Sequence, residues 1–389
     1  MDLFDPKSEL QKRHGKDAPI DSLQGRPREP LMASPFRFQP HGESGIEFSE
    51  LVPHLSSVAD DLCVIHSMYT FDPCHAGASL ILFTGKLAFG RPTVGSWISY
   101  ALGTENQNLP AYVVLPDIAG HNTAGTALWD NGWLPALYRG TEFRPQGTPV
   151  LNLRSEQPLP TGTISAIQRL NQRFALRFPH ASELETRIRN YELAARMQLT
   201  AEKELDLSQE TAETRRLYGL ENPDTAAYGT QCLMARRLVE AGVRFVQIMN
   251  KPHNPWDHHS KLKTGLPKLC AQTDRPSTAL IADLKRRGLL DQTLVVWIGE
   301  FGRLPTSQGG TSRGFKAGYV HGATDEVGYR AVVDRVSVRD LMATILHQVG
   351  LDHNQLTYKH NNLEESLKDS RVTDARIVDE LLHARRERR

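Results

Sequence analysis

The chain has 389 residues, of which 39% are hydrophobic, so it can bury a large core as one α/β domain or as one domain with an inserted lobe. Its 46 Lys and Arg residues nearly balance its 45 Asp and Glu residues, so bulk charge argues neither for a nucleic-acid partner nor for a membrane surface. No apolar run approaches the ~20 residues of a membrane span, and the amino terminus has no secretory core. The product is therefore expected to stay in the compartment where it is made.

The first elements in chain order lead to a helix that can face an anion. Residues 1–45 are rich in Pro, Gly and charge, which predicts irregular chain lying over the surface. Apolar residues in 46–63 recur at mostly helical spacing and predict a helix, and residues 64–65 predict a short strand. An apolar helix is predicted to begin near Cys74 or His75. The free N–H groups and positive dipole end of such a helix suit an anion.

The fold class follows from alternating strands and helices. Residues 111–115, 243–249 and 294–298 are β-branched or apolar runs typical of buried strands. A helix is predicted over 225–241, and a longer helical region, interrupted near a proline, over 262–287. Strand, helix and strand of these lengths form a parallel crossover unit. We therefore expect an α/β fold in which the three strands lie in one mainly parallel sheet flanked by helices.

The domain organisation is predicted from the same patterns. Residues 46–370 are expected to form a single α/β domain, with a helical excursion near 163–205. Residues 371–389 end in HARRERR and are expected to be a charged, solvated tail. This basic run does not indicate nucleic-acid binding, because the rest of the chain lacks a basic face with interleaved aromatic residues.

A carboxylate follows the third predicted strand. Glu300 comes after the run 294–298, and Gly299 and Gly302 allow a tight turn on either side of it. In open α/β sheets, ligands bind in the crevice beyond the carboxyl ends of the strands, so Glu300 would stand at its rim. The other interpretation is an ion pair between Glu300 and Arg303.

A second polar group follows the strand 243–249. Asp257, His258 and His259 provide the oxygen and nitrogen ligands that zinc and similar divalent ions accept. If this stretch is extended, Asp257 and His259 face one way and His258 faces the other. The alternative is that Asp257 caps the amino terminus of a helix.

A resemblance to the bacterial domain-of-unknown-function 1501 family is carried by the segments MDLFDPKSELQKRHGK, ADDLCVIHSM, CLMARRLVEAGVRFVQI, WDHH, DLKRRGLLDQTLVVWIGEFGR and HGATDEVGYRAV. That family is similar to sulfatases and to the alkaline phosphatase superfamily, whose members have a doubly wound sheet and metal ligands at strand ends. The resemblance implies that Asp257 and His259 match one ligand pair and that Glu300 matches the carboxylate of another, for a divalent metal such as zinc or calcium. It also implies that Cys74 and His75 occupy the nucleophile region.

The resemblance also implies elements that this chain lacks. Family members usually begin with an export signal and a first strand that ends just before the equivalent of Asp2. They also carry a GRDH-type segment with a histidine ligand, where this chain runs almost directly from Gly310 to Phe315. We therefore expect an amino-terminal truncation and an internal deletion. His321 belongs to the far side of that gap and is not credited as the replacement ligand.

Two functions follow. The first is a metal-dependent hydrolase of sulfate or phosphate esters by ancestry, impaired here because its metal site is incomplete. The second is a degenerate, non-catalytic relative that binds an anion or a glycan. The expected ligand is a small anionic ester or a sulfated glycan.

Overall fold

The computed structural model describes residues 1–19, 28–145, 162–177, 188–197, 205–252, 254–301, 318–367 and 375–382. Within these ranges the chain is a mixed α/β protein with parallel strands flanked by helices, which confirms the predicted fold class. No helix in these ranges is long and apolar enough to cross a membrane.

The regular elements are numbered in chain order. The α-helices are α1 (Ser8–Arg13), α2 (His75–Thr84), α3 (Val94–Leu102), α4 (Thr163–Arg177), α5 (188–197), α6 (Ala212–Leu217), α7 (Pro223–Glu240), α8 (Leu262–Arg286) and α9 (Val338–Gln348). The strands are β1 (Asp17–Ala18), β2 (Glu29–Pro30), β3 (Phe38–His41), β4 (Ile46–Ser49), β5 (Cys63–Ile65), β6 (Met68–Tyr69), β7 (Tyr112–Leu115), β8 (Thr141–Glu142), β9 (Phe245–Ile248), β10 (Tyr319–His321), β11 (Ala323–Thr324), β12 (Ala331–Val333), β13 (Val336–Ser337), β14 (Tyr358–His360) and β15 (Leu363–Glu365).

The central sheet has the strand order β8-β7-β9, and all three strands are parallel. Its middle strand is covered on both faces, because Val113 packs with Leu238 of α7 while Val114 packs with Leu80 of α2. Met249, directly after β9, lies in the same cluster as Leu80. Helix α2 therefore lies beside the carboxyl end of β9. The predicted strands 111–115 and 243–249 are confirmed, and so is their parallel pairing.

The predicted third strand is not formed, because residues 294–298 have no ladder partner among the described residues. The segment is partly buried, and its side chains pack instead. Trp297 meets the ring of Phe4 edge-on at 6.0 Å between ring centroids, and Ile298 joins a cluster with Ile345 of α9. Within the described residues, strand β5 pairs in parallel with β10 in a sheet of two strands that does not include this segment.

The amino-terminal region also differs from the prediction of irregular surface chain. Residues 1–45 contain α1 and the β3 strand, and Leu3 and Phe4 are buried against Phe48 of β4. The helix predicted over 46–63 is replaced by β4 and a 3-10 turn at Leu55–Asp61. The reason is the alternation of buried Ile46 and Phe48 with exposed Glu47, which is the period of a strand.

The prediction of a solvated carboxy-terminal tail is wrong for residues 375–382, the part of it that the structure describes. Val378 and Leu381 are buried in the cluster that contains Leu341 of α9. The backbone N–H of Val378 donates to Thr344 Oγ1 at 3.0 Å, which anchors this segment on α9. Residues 383–389, with most of HARRERR, lie outside the described residues.

Candidate active site

Helix α2 starts where the sequence predicts and places an imidazole at its first turn. Cys74 is the extended N-cap residue, and the Ala78 N–H donates to its carbonyl at 2.8 Å. The Asp72 carboxylate accepts the Cys74 backbone N–H at 2.6 Å, which fixes the turn before the helix. His75 is therefore the first helical residue, and the Cys74 thiol is exposed beside it.

His75 joins two acidic segments that are far apart in the sequence. Its Nδ1 lies 2.6 Å from Glu300 Oε1, and its Nε2 lies 3.0 Å from Asp257 Oδ2. The same Asp257 oxygen lies 2.6 Å from His259 Nε2. We call these four side chains the His75 cluster. The structure therefore brings Asp257, His259 and Glu300 together at His75, although Glu300 does not follow a formed strand. Their assignment as site residues stays a prediction.

The His75 cluster is partly open to solvent. The side chains of His75, Asp257 and Glu300 are 21%, 15% and 20% exposed, and that of His259 is 64% exposed. A neutral imidazole has one N–H, so with both carboxylates ionised the two His75 contacts are hydrogen bonds at the same time only when both ring nitrogens carry a proton. The arrangement can hold an imidazole in one orientation and can exchange protons with water or with a bound molecule.

The contacts do not fit the predicted zinc or calcium site as they stand. Carboxylates and imidazoles are suitable zinc ligands by chemistry. In this structure, however, the Asp257 and Glu300 oxygens face imidazole nitrogens as hydrogen-bond partners. Across the described ranges, no group of three or more His, Cys, Asp or Glu side chains is arranged to hold a metal ion.

The neighbouring residue His258 faces away from the cluster, as the extended interpretation predicts. Its ring packs on α8 against Gly265, where a Cβ atom would collide with the imidazole. Helix α8 begins at Leu262 with Lys261 as its N-cap, so the alternative in which Asp257 caps this helix is wrong. The other open alternative, an ion pair between Glu300 and Arg303, involves a residue outside the described ranges.

Two aromatic rings near the cluster were not identified from the sequence. The Phe301 ring lies 4.8 Å from the His75 ring, tilted by 41°. Tyr69 lines a narrow crevice with Glu300 and Phe301, and the Arg335 guanidinium lies 4.3 Å from the Tyr69 ring centroid. The position of Phe301 directly after Glu300 was a usable signal, whereas nothing local connects Tyr69 to this site.

The predicted internal deletion after Gly310 falls in 302–317, outside the described residues. His321 ends β10 opposite Ile65, is 2% exposed, and has its Nδ1 3.4 Å from the Tyr319 hydroxyl. None of the contacts found for His321 within the described residues joins it to the His75 cluster, so it takes no part in the site proposed below.

Comparison with known proteins gives a family. The family described as "Protein of unknown function (DUF1501)" matches residues 1–382. The chain belongs to this family. The match gives no support to the truncation predicted from the sequence. No curated protein matches this DUF1501 chain.

A solved structure that resembles the DUF1501 chain is the phosphonate monoester hydrolase SpPMH from Silicibacter pomeroyi. The two are 15% identical, and the similarity covers 87% of this chain and 73% of that one, with a TM-score of 0.39. This is a distant likeness from which no role of any residue follows.

Proposed function

We propose that this DUF1501 chain binds small anionic esters of the sulfate or phosphate class at the start of α2 and hydrolyses them slowly. The observation that carries the proposal is the His75 cluster, in which one imidazole contacts carboxylates from two distant segments. A base whose orientation is fixed by a third group is the arrangement that acid–base and nucleophilic catalysis require.

The proposed chemistry uses the side chains of this chain alone. Water adds to the phosphorus or sulfur atom and gives a proton to the Asp257 carboxylate, which returns it to His75 Nε2 across their 3.0 Å contact at the end of the cycle. The bond to the leaving oxygen breaks, and that oxygen takes a proton from an imidazole N–H of His75. Glu300 orients the ring during this exchange. Cys74, exposed at the N-cap next to His75 in the chain, is the candidate nucleophile for a covalent intermediate.

The anionic class of substrate is supported by the surroundings. The first N–H groups of an α-helix have no intrahelical partner and attract anionic oxygens. Helix α2 presents this end beside His75, and the side chain of its N-cap residue Cys74 makes no capping hydrogen bond. Arg335 lies over Tyr69, at the crevice that Glu300 lines, and adds positive charge on that side.

The direct test is turnover of 4-nitrophenyl phosphate and 4-nitrophenyl sulfate. We expect the His75→Gln variant to lose at least about 100-fold in kcat/KM, the usual contribution of a general acid–base group. His121→Gln is the matched control, because His121 also contacts a carboxylate, Glu142 at 3.4 Å, outside the cluster. Equal kcat/KM values for the wild type and His75→Gln would contradict the proposal.

Cys74→Ser separates the two roles given to the first turn. If water attacks directly, the variant keeps most of the turnover. If the thiol is the nucleophile, the variant loses it, because a serine hydroxyl is a much weaker nucleophile than a thiolate. Rapid mixing would then show a burst of 4-nitrophenol in the wild type that is absent in the variant.

The metal content of the purified protein is an independent test of the same proposal. Because the cluster as it stands does not fit a divalent-metal site, we expect less than one equivalent of zinc or calcium in the purified protein. One tightly bound equivalent, together with turnover that disappears in Glu300→Ala, would instead favour the metal-dependent hydrolase that the family resemblance implies.

A second candidate is a non-catalytic relative that binds an anionic ester or a sulfated glycan. The observation that favours it is that both His75 ring nitrogens are already engaged by carboxylates. Saturable binding of 4-nitrophenyl sulfate without turnover would support this candidate, and binding should then survive in His75→Gln.

A further inference from the structure

A cavity of about 590 Å³ lies between the amino-terminal region and the start of α8. Its volume is in the range of sites that enclose small molecules. His259 lines it together with Lys261 and Lys263, and His259 also contacts Asp257 of the His75 cluster. The cavity therefore adjoins the candidate active site through one shared side chain.

The ionisable side chains of the lining are basic, and Gln11, Ser34 and Ser260 add neutral polar groups. Lys261 and Lys263 are exposed, and within the described residues neither forms an ion pair. His14 adds a third donor from the opposite wall: its Nδ1 accepts the Ala33 N–H at 3.1 Å, so the neutral ring carries its proton on Nε2. No Asp or Glu occurs among the described residues that line the cavity.

The lining also has an apolar part. Met32 and Pro35 come from the amino-terminal side and Leu262, which is 8% exposed, from the first turn of α8. A small inorganic anion would leave most of this surface in contact with water. A ligand with an apolar ring or chain would cover it and gain free energy in proportion to the apolar area buried.

We propose that this cavity binds amphipathic anions, in which an aromatic or aliphatic body carries one sulfonate, sulfate or phosphate group that Lys261 and Lys263 recognise. The further assignment, that the cavity holds the apolar leaving group of an ester cleaved at the His75 cluster, rests on the proposed function. Binding itself does not, so the two can be tested separately.

The test of binding uses 1-naphthalenesulfonate, which has the required body and charge but no ester bond. Its affinity is measured by calorimetry at low salt, with 1-naphthol as the uncharged counterpart. We expect the wild type to bind the sulfonate more tightly than the naphthol, and the preference to shrink as salt is added. Equal affinity for the two compounds would overturn the proposal.

Three variants locate the site. The double variant Lys261→Gln with Lys263→Gln should lose about tenfold in sulfonate affinity and little in naphthol affinity, as expected for two exposed charge pairs. Lys268→Gln, on the exposed side of the same helix, should bind like the wild type. Ala33→Phe should fill the cavity and lower the affinity for both compounds. Wild-type sulfonate binding by the double variant or by Ala33→Phe would overturn the assignment to this cavity.

The same variants separate this proposal from the proposed function. If no ester is turned over but the sulfonate binds as described, the cavity stands and the hydrolase proposal fails. If esters are turned over, Ala33→Phe should raise KM for 1-naphthyl phosphate more than KM for methyl phosphate. An equal change for both esters would show that the leaving group does not occupy this cavity.

Discussion

Two groups of acidic and basic side chains in this chain have similar contact distances and opposite surroundings. In the first, Arg236 of α7 contacts Glu210 at 2.6 Å, Glu240 at 2.6 Å and Asp283 of α8 at 3.1 Å. Its side chain is 2% exposed, and that of Asp283 is fully buried. We call these four residues the Arg236 cluster. The His75 cluster has equally short contacts, but all of its members are partly exposed.

Burial explains why the two clusters serve different purposes. A buried charge must be compensated by the protein, because water cannot reach it. Asp283 accordingly has two further partners, Arg286 and Arg287, and the cluster ties α7 to α8 through Arg236. A partly exposed group can be hydrated instead, so it can exchange protons and meet a ligand. The Arg236 cluster is therefore a structural joint, and the His75 cluster is the candidate for chemistry.

The largest expected effect follows from breaking the buried joint. Arg236→Met should lower the free energy of unfolding by about 3–5 kcal/mol, because it leaves Asp283 and Glu210 buried without their central cation. Urea unfolding followed by circular dichroism measures this change. Arg215→Gln, which alters an exposed arginine of α6, is the control and should have almost no effect. A loss below about 1 kcal/mol in Arg236→Met would show that Arg237, Arg286 and Arg287 compensate the buried carboxylates without Arg236.

Acid should weaken the buried joint next. Burial alone would raise the pKa of Glu210 and of Asp283. In the folded state, however, Arg236 and Arg237 lower the pKa of Glu210 through hydrogen bonds and charge. Arg286 and Arg287 lower the pKa of Asp283 in the same way. A lowered pKa gives stability that is present above the unfolded value of about 4 and is lost as the pH falls towards the folded value.

We therefore expect the free energy of unfolding to fall, by something on the order of 1 kcal/mol per carboxyl group, between about pH 6 and about pH 3. Asp283→Asn should be less stable than the wild type at the upper pH and should lose less on acidification. Identical pH slopes for the two proteins would contradict the ion-pair account of Asp283.

The sequence predicts much of the frame around the site from local signals. Asn222 caps α7, whose first residue is Pro223, and Gly242 follows the helix at positive φ, so α7 and the strand after it are found within two residues. The extended Asp257–His259 stretch and the helix start at His75 are also local patterns. Their convergence joins positions 182 apart in the sequence, and it is predicted through the family resemblance, which assigns these residues to metal-ligand and nucleophile positions.

What sequence reasoning misses depends on partners that are distant in the chain. The run 294–298 has strand composition, but composition does not tell whether another strand will lie beside it, and no backbone within the described residues pairs with it. The Arg236 cluster has the same origin, since an arginine on a buried helix face is stable only because Glu210 and Asp283 arrive from other elements. The basic cavity likewise joins residues more than 200 positions apart.

The comparison predicts a much smaller effect on stability at the candidate site. His75→Gln should change the free energy of unfolding by no more than about 1 kcal/mol, because its ion pairs are partly hydrated. The measurement is the urea series used for Arg236→Met, with His121→Gln as the control. A loss close to that of Arg236→Met would mean that the His75 cluster holds the fold together rather than serving a reaction.

The smallest effect is expected from the isosteric change Glu300→Gln in the His75 cluster, measured in parallel with Asp283→Asn in the Arg236 cluster. Each removes one negative charge and keeps an oxygen that can still accept a hydrogen bond. Glu300 is 20% exposed, so water can replace part of the lost interaction, and we expect a change below about 0.5 kcal/mol. Asp283 is fully buried between arginines, so its change should cost several times more. Repeating both measurements at high salt should leave the difference in place, since buried pairs are screened much less than exposed ones. Equal costs for the two changes would mean that burial is not what separates the two clusters.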